Sequence, residues 1–188
     1  KSLAELRYQK GEYMNAGKLF ERLVKENAYD KDSWHQLSKC LLMNKSTKKG
    51  FEALNKYIKI SRSKEEAIDK ACELLWTSGY NKELIEISRK ASINFNTSTK
   101  FPVYEAKAWI KLSKYDRARN CLSKNDYANS TIEGLFCLAI CHLRLKDIIK
   151  SKICISLILD REPGNTGANI LLGQIHYSCG HTKKALTA

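Results

Sequence analysis

The sequence predicts an all-α fold built from stacked antiparallel helix pairs. Three observations lead there. A turn signature recurs at a step of about 34 residues: Gly11-Glu12-Tyr13, Gly79-Tyr80-Asn81, Ser113-Lys114-Tyr115 and Gly180-His181-Thr182. Lys45 and Lys146 stand where the same step places the two missing anchors. Small residues return at two fixed places in each step. No stretch alternates apolar and polar residues long enough to read as a strand.

With positions in the repeat counted from 1 to about 34, each unit holds helix A in its first half and helix B in its second. Units are expected at about residues 1–30, 31–64, 65–98, 99–131, 132–165 and 166–188, a single array over residues 1–188. Residues 1–10 read as the latter part of a first helix and residues 181–188 as the start of a last one. Both ends are therefore expected inside a unit, as in a piece of a longer array. About five and a half units exceed the roughly three that such a stack needs. Each unit buries its apolar face on its neighbours, so the core runs along the stack.

The elements follow in order. Position 8 of helix A holds Ser38, Cys72, Ala106, Ala139 and Gly173. Position 20 of helix B holds Ala16, Gly50, Leu84, Ala118, Ser151 and Ala185. Small side chains at both places let the two backbones approach. Leu84 breaks the pattern, and packing is expected to differ there. Large apolar residues fill the complementary positions: Trp34, Ile68 and Leu135 at position 4; Leu37, Leu138 and Leu172 at position 7; Phe20, Leu54, Leu122 and Ile155 at position 24. Gly79 and Gly180 suit the left-handed residue that ends a helix. Pro163 stops one helix B, with Gly164-Asn165 turning the chain. Pro102 falls in the first turn of its helix, where a missing N–H costs little. Residues 94–99 and 123–130 read as polar connectors, the second following a short helix B.

These residues resemble the tetratricopeptide repeat family over the whole chain, best in the last unit: Ala168-Asn169-Ile170-Leu171-Leu172-Gly173, Tyr177, Gly180 and Ala185. Glu105 and Asn125 depart from the family's usual leucine and alanine. The resemblance implies a right-handed superhelical α-solenoid whose A helices line a concave groove, with positions 2, 5, 6, 9, 12 and 13 facing it. One subgroup clamps the carboxylate end of chaperone peptides with a Lys and Asn pair on one helix A. Positions 5 and 9 here hold His35 and Lys39, Asp69 and Glu73, Phe136 and Ile140, so that clamp is not expected.

Net charge is +13 and the pI near 9.4. Residues 1–64 hold most of the excess. This favours acidic partners, or serves only as a solvated exterior. No run of about 18 apolar residues exists; the most apolar stretch, Ile132 to Leu145, is broken by Glu133, His142 and Arg144. The seven cysteines are odd in number and form no CxxC pair, which favours a reducing compartment, cytosol or nucleus.

The implied groove positions give the candidate site. Lys39 belongs to it. Lys100, Tyr104, Lys107 and Lys111 form one helical stripe. That stripe reads either as three ammonium groups around a tyrosine that recognise an anion, or as part of a row of alternating charges that pair across units. Phe136, Ile140 and Arg144, then Gln174 and Tyr177, form an apolar patch with an arginine and an aromatic ring, the composition of a binding hot spot. Ile170 and Leu171 are read with it. The same apolar residues suit packing between helices.

No catalytic, cofactor or metal site is expected. Cys137 and Cys141 lie one turn apart near His142, but zinc takes four ligands and no second cluster follows. The cysteines occupy packing positions. The four histidines follow the repeat without an acid–base partner. The expected function is a scaffold that holds a peptide or helix of another protein, an acidic or amphipathic segment, in its groove. A substrate-positioning segment of a larger enzyme, such as a glycosyltransferase, and an RNA or acidic-polymer binder are the alternatives. Against the last, no pair of base-reading side chains repeats from unit to unit.

Overall fold

The computed structural model describes residues 2–178, apart from the side chains of residues 127, 128 and 178. The anchor at Gly180 and the small residue Ala185 lie outside them. The described residues form helices and turns with no strand: α1 (Ser2–Gln9), α2 (Tyr13–Glu26), α3 (Lys31–Met43), α4 (Thr47–Ile60), α5 (Lys64–Ser78), α6 (Asn81–Asn94), α7 (Lys100–Lys111), α8 (Tyr115–Ser123), α9 (Asp126–Asn129), α10 (Ile132–Arg144), α11 (Ile148–Arg161) and α12 (Thr166–Ser178). They divide into two compact units, one ending at Tyr80 and the other starting at Asn81. The division falls between α5 and α6, the pair whose position 20 carries Leu84 rather than a small residue.

The turn from helix A to helix B is the most constant feature. Gly11 (φ 78°), Lys45 (φ 61°), Gly79 (φ 80°), Ser113 (φ 57°) and Lys146 (φ 64°) all take the left-handed conformation. At each, two N–H groups close the helix end. Lys45 donates to the Leu42 carbonyl and Ser46 to that of Leu41; Ser113 and Lys114 do the same to Ile110 and Trp109. These are Schellman caps, which satisfy the last carbonyls of helix A. Lys45, Ser113 and Lys146 therefore do the work of glycine, each at a steric cost of about 1–2 kcal/mol.

Among the A helices, α3, α5, α10 and α12 are capped at their start by side chains. Asp30 accepts from the Asp32 and Ser33 N–H groups, Ser63 from Glu66, Thr131 from Gly134 and Asn165 from Ala168. Pro102 is the third residue of α7, among the N–H groups that no helix bonds internally. The connector 123–130 is not wholly irregular: it holds the single turn α9, after an α8 of only nine residues. Asn125 thus lies outside helix B, which removes the need for the family's alanine.

Small residues sit where helices meet. Ser38, Cys72, Ala106 and Ala139 at position 8, and Ala16, Gly50, Ala118 and Ser151 at position 20, are all buried. In the α10–α11 pair the two positions touch: Ser151 Oγ donates to the Ala139 carbonyl at 2.9 Å. Around these contacts the large residues close the core. In the first unit Phe20, fully buried, packs with Ala4, Ala16, Val24 and Leu37. In the second, Val103, Leu122 and Cys137 form one cluster, and Leu135, Ile155, Ile158 and Ile175 another. Removing a side chain such as Phe20 or Ile158 from water contributes about 1.5–3 kcal/mol.

Candidate functional site

In the first unit α1, α3 and α5 present helix-A positions to one cavity of about 330 Å³, lined by Tyr8, His35, Lys39, Met43, Lys70, Glu73, Leu74 and Thr77. Lys39, expected at the site, stands with its ammonium 5.4 Å from the centre of the Tyr8 ring. That distance suits a cation–π contact. Lys70 pairs with Glu66 one turn earlier on α5 at 2.8 Å. Both are exposed, so the pair contributes about 0–1 kcal/mol and yields readily to a competitor.

His35 is the residue that sequence reading passed over. Its ring stacks on Tyr57 at 4.7 Å. Its Nε2 is buried with no hydrogen-bond partner among the described residues. Burial first, then the positive charges of Lys39 and Lys70, push its pKa down to about 4. The imidazole is therefore neutral near pH 7, and Nε2 can donate or accept according to tautomer. The signal in the sequence was weak: a histidine at a groove position.

In the second unit the lysine stripe of α7 is partly engaged. Lys107 reaches Glu133 at the start of α10, 3.1 Å away, and lies 5.8 Å from the Tyr104 ring centre. Pairing between successive A helices thus occurs at Lys107, along a diagonal rather than between equivalent positions. Lys100 and Lys111 are exposed at the two ends of the helix and Tyr104 is half-buried.

The apolar patch divides. Phe136 and Ile140 are half-buried against the core. A Cβ built on Gly167 would meet the Phe136 ring at 2.8 Å, so this ring fills the place left by the glycine at the start of α12. Leu171, read as facing the groove, is turned into the core instead. Ile170 and Tyr177 are exposed, by 56% and 73%, with Arg144 and Gln174 exposed as well. The periodicity placed these residues on the helix but not the rotation that sends Leu171 inward.

Cys40, Cys72, Cys137, Cys141 and Cys154 are buried and Cys121 is half-buried, all as free thiols. Burial pushes the thiols of Cys40, Cys72, Cys121, Cys137 and Cys141 up to about 12. Such thiols are poor nucleophiles near neutral pH. His142 is also buried, its Nδ1 3.6 Å from an Asp147 oxygen. Among the described residues no group of three or more His, Cys, Asp or Glu could hold a metal ion. None of the described helices is long and apolar enough to cross a membrane.

The chain has the tetratricopeptide-repeat fold, an all-α array of helix pairs. Solved structures similar to it include PilW, described as a widely conserved type IV pilus biogenesis factor (TM-score 0.65, 15% identity, covering 99% of this chain and 87% of that one). YrrB, described as a tetratricopeptide-repeat protein with an unusual peptide-binding site, is similar with TM-score 0.58 and 16% identity, over 89% of this chain and 87% of that one. A tetratricopeptide-repeat protein from Parabacteroides merdae matches with TM-score 0.69 and 10% identity, over 99% of this chain and 74% of that one. No family model matches the sequence, and no curated protein matches it.

Proposed function

We propose that the protein is an interaction scaffold whose helix-A faces hold a peptide or helix of another protein. The observation that carries this reading is the cavity on α1, α3 and α5. It brings a buried, unpartnered imidazole nitrogen beside an aromatic ring and two lysines. A buried polar atom without a partner costs about 1–3 kcal/mol, which a ligand hydrogen bond would recover. Lys39 and Lys70 favour an acidic or amphipathic segment. That YrrB is described as having a peptide-binding site on the same fold supports the reading by analogy. The second unit carries a helix-A surface of its own, with Lys100, Tyr104, Lys111, Arg144, Gln174 and Tyr177 as its proposed contacts and Lys107, Phe136 and Ile140 mainly holding it in shape. Free, unreactive thiols suit a reducing compartment, cytosol or nucleus.

The test is a random peptide library selected on the full chain. Selected peptides should lose at least tenfold in affinity for Lys39→Glu. They should bind with little dependence on salt if apolar contacts dominate. Failure to select any peptide, or peptides indifferent to Lys39, would reject the reading. Preferential capture of single-stranded RNA, with affinity falling steeply with salt, would favour the polymer alternative that the charge of residues 1–64 raises.

A further inference from the structure

A crevice beside helix B is present in both compact units, built from equivalent positions. In the first unit Glu21, Leu37, Leu41, Lys49, Glu52 and Lys56 line a cavity of about 620 Å³. In the second, Arg89, Glu105, Trp109, Arg117, Asn120 and Lys124 line one of about 630 Å³. Each residue of the second set lies two repeat periods, about 68 residues, after its counterpart in the first. The crevice is thus a property of the fold, and its lining is a property of the sequence.

The second lining is rebuilt. The apolar floor residue Leu37 is replaced by Glu105, a carboxylate only 7% exposed. Glutamate at a buried leucine position forfeits apolar burial and needs partners for its charge. They are present. Arg89, where the first crevice has Glu21, donates to Glu105 Oε1 from Nε at 3.2 Å and from Nη2 at 2.8 Å. The Trp109 indole N–H, where the first has Leu41, donates to the same oxygen at 3.1 Å. Asn120 replaces the second glutamate, Glu52. The two acids that face Lys25, Lys49 and Lys56 in the first crevice are gone, Ile93 stands in place of Lys25, and the one acid of the second is already bound.

Two cations then remain at the rim. Arg117 lies over the Trp109 ring, 4.9 Å from guanidinium carbon to ring centre. This cation–π contact holds the guanidinium beside the ring and leaves N–H groups for a planar oxyanion. Lys124 follows about two turns later, as the residue that caps the end of α8. Neither has an acidic partner among the described residues. Ser92, Asn96 and Asn120 add neutral polar groups around them.

We infer that the α6–α7–α8 crevice is a second binding site, which takes the side-chain carboxylate of an acidic peptide segment on Arg117 and Lys124 above the Glu105–Trp109 floor. It shares no residue with the proposed helix-A surface, so either can fail without the other.

Trp109 is the reporter, and Trp34, in the first crevice, is the built-in control. The indole N–H resonances of the full chain are followed while a capped tetraglutamate peptide is added. The Trp109 resonance should move saturably and that of Trp34 should not. Arg117→Ala, at an exposed position, should weaken the response at least tenfold, while Lys49→Ala, its counterpart in the first crevice, should leave it unchanged. Glu105→Gln keeps an acceptor for Arg89 and Trp109 but removes a repelling charge, so it should tighten binding about threefold. A still Trp109, an Arg117→Ala chain that responds like the parent, or an equal response to capped tetraglutamine would overturn the inference. Inorganic phosphate acting as well as the peptide would overturn the assignment to a peptide carboxylate.

Discussion

Gly50 lies directly against Leu42: a Cβ on the glycine would stand 2.7 Å from Leu42 Cδ2 and 2.8 Å from its Cγ. Here α3 and α4 approach closely, and Leu42 is fully buried. No rotamer change of the leucine tip relieves a clash at Cγ.

Gly50→Ala should therefore destabilise the protein by about 1–3 kcal/mol despite the better helix propensity of alanine. Gly17, buried in the middle of α2, is the contrast. Its added Cβ would meet only Cys40 Cβ, at an ordinary 3.6 Å. Gly17→Ala should be neutral or stabilising, by up to about 1 kcal/mol. Urea unfolding of the two variants separates them, and equal effects would contradict the packing described for position 20.

The left-handed turns predict a second contrast. Ser113→Gly and Lys146→Gly remove a strained side chain at φ 57° and 64° and should each stabilise by about 0.5–1 kcal/mol. Gly79→Ala, at φ 80° with nothing within 4 Å of the new Cβ, should destabilise by about 1 kcal/mol through backbone strain alone. Thermal melts of the three variants are the check.

Phe136 and Tyr177 were both expected in the groove, and they differ in burial: Phe136 packs on the core and Tyr177 is exposed. Phe136→Ala removes the ring packed against Gly167 and should cost about 2–4 kcal/mol of stability. Tyr177→Ala, at a 73% exposed position, should change stability by less than about 0.5 kcal/mol. A peptide-binding loss in Phe136→Ala would accordingly need a folding control before it counted as a contact.

His35 gives a pH dependence. Its folded pKa, near 4, is below the ordinary value of 6.5, so the unfolded chain takes up the proton first. Stability from this group is full above pH 6.5 and is lost as pH falls towards 4, by roughly 2 kcal/mol. Urea midpoints at pH 7 and pH 4.5 should differ less in His35→Gln than in the parent. An equal drop would place the titration elsewhere.

What could be read along the chain was what depends on near neighbours and on period. A left-handed residue after helix A needs only its own turn, so Gly11, Gly79 and even the degenerate Ser113 marked the helix ends. Small residues at positions 8 and 20 repeat because every pair meets the same steric demand, and Leu84, the exception, coincides with the division into two compact units. Glu105 was visible as an acid at a leucine position, but its partners were not. Trp109 lies one turn later on the same helix, but Arg89 lies 16 residues earlier, and its reach to the carboxylate depends on how α6 settles on α7. The same holds for Lys107 with Glu133, Phe136 with Gly167, and the inward turn of Leu171. A repeat period specifies how far apart helices are along the chain, whereas the rotation and offset of one helix on the next are settled by side-chain packing in three dimensions.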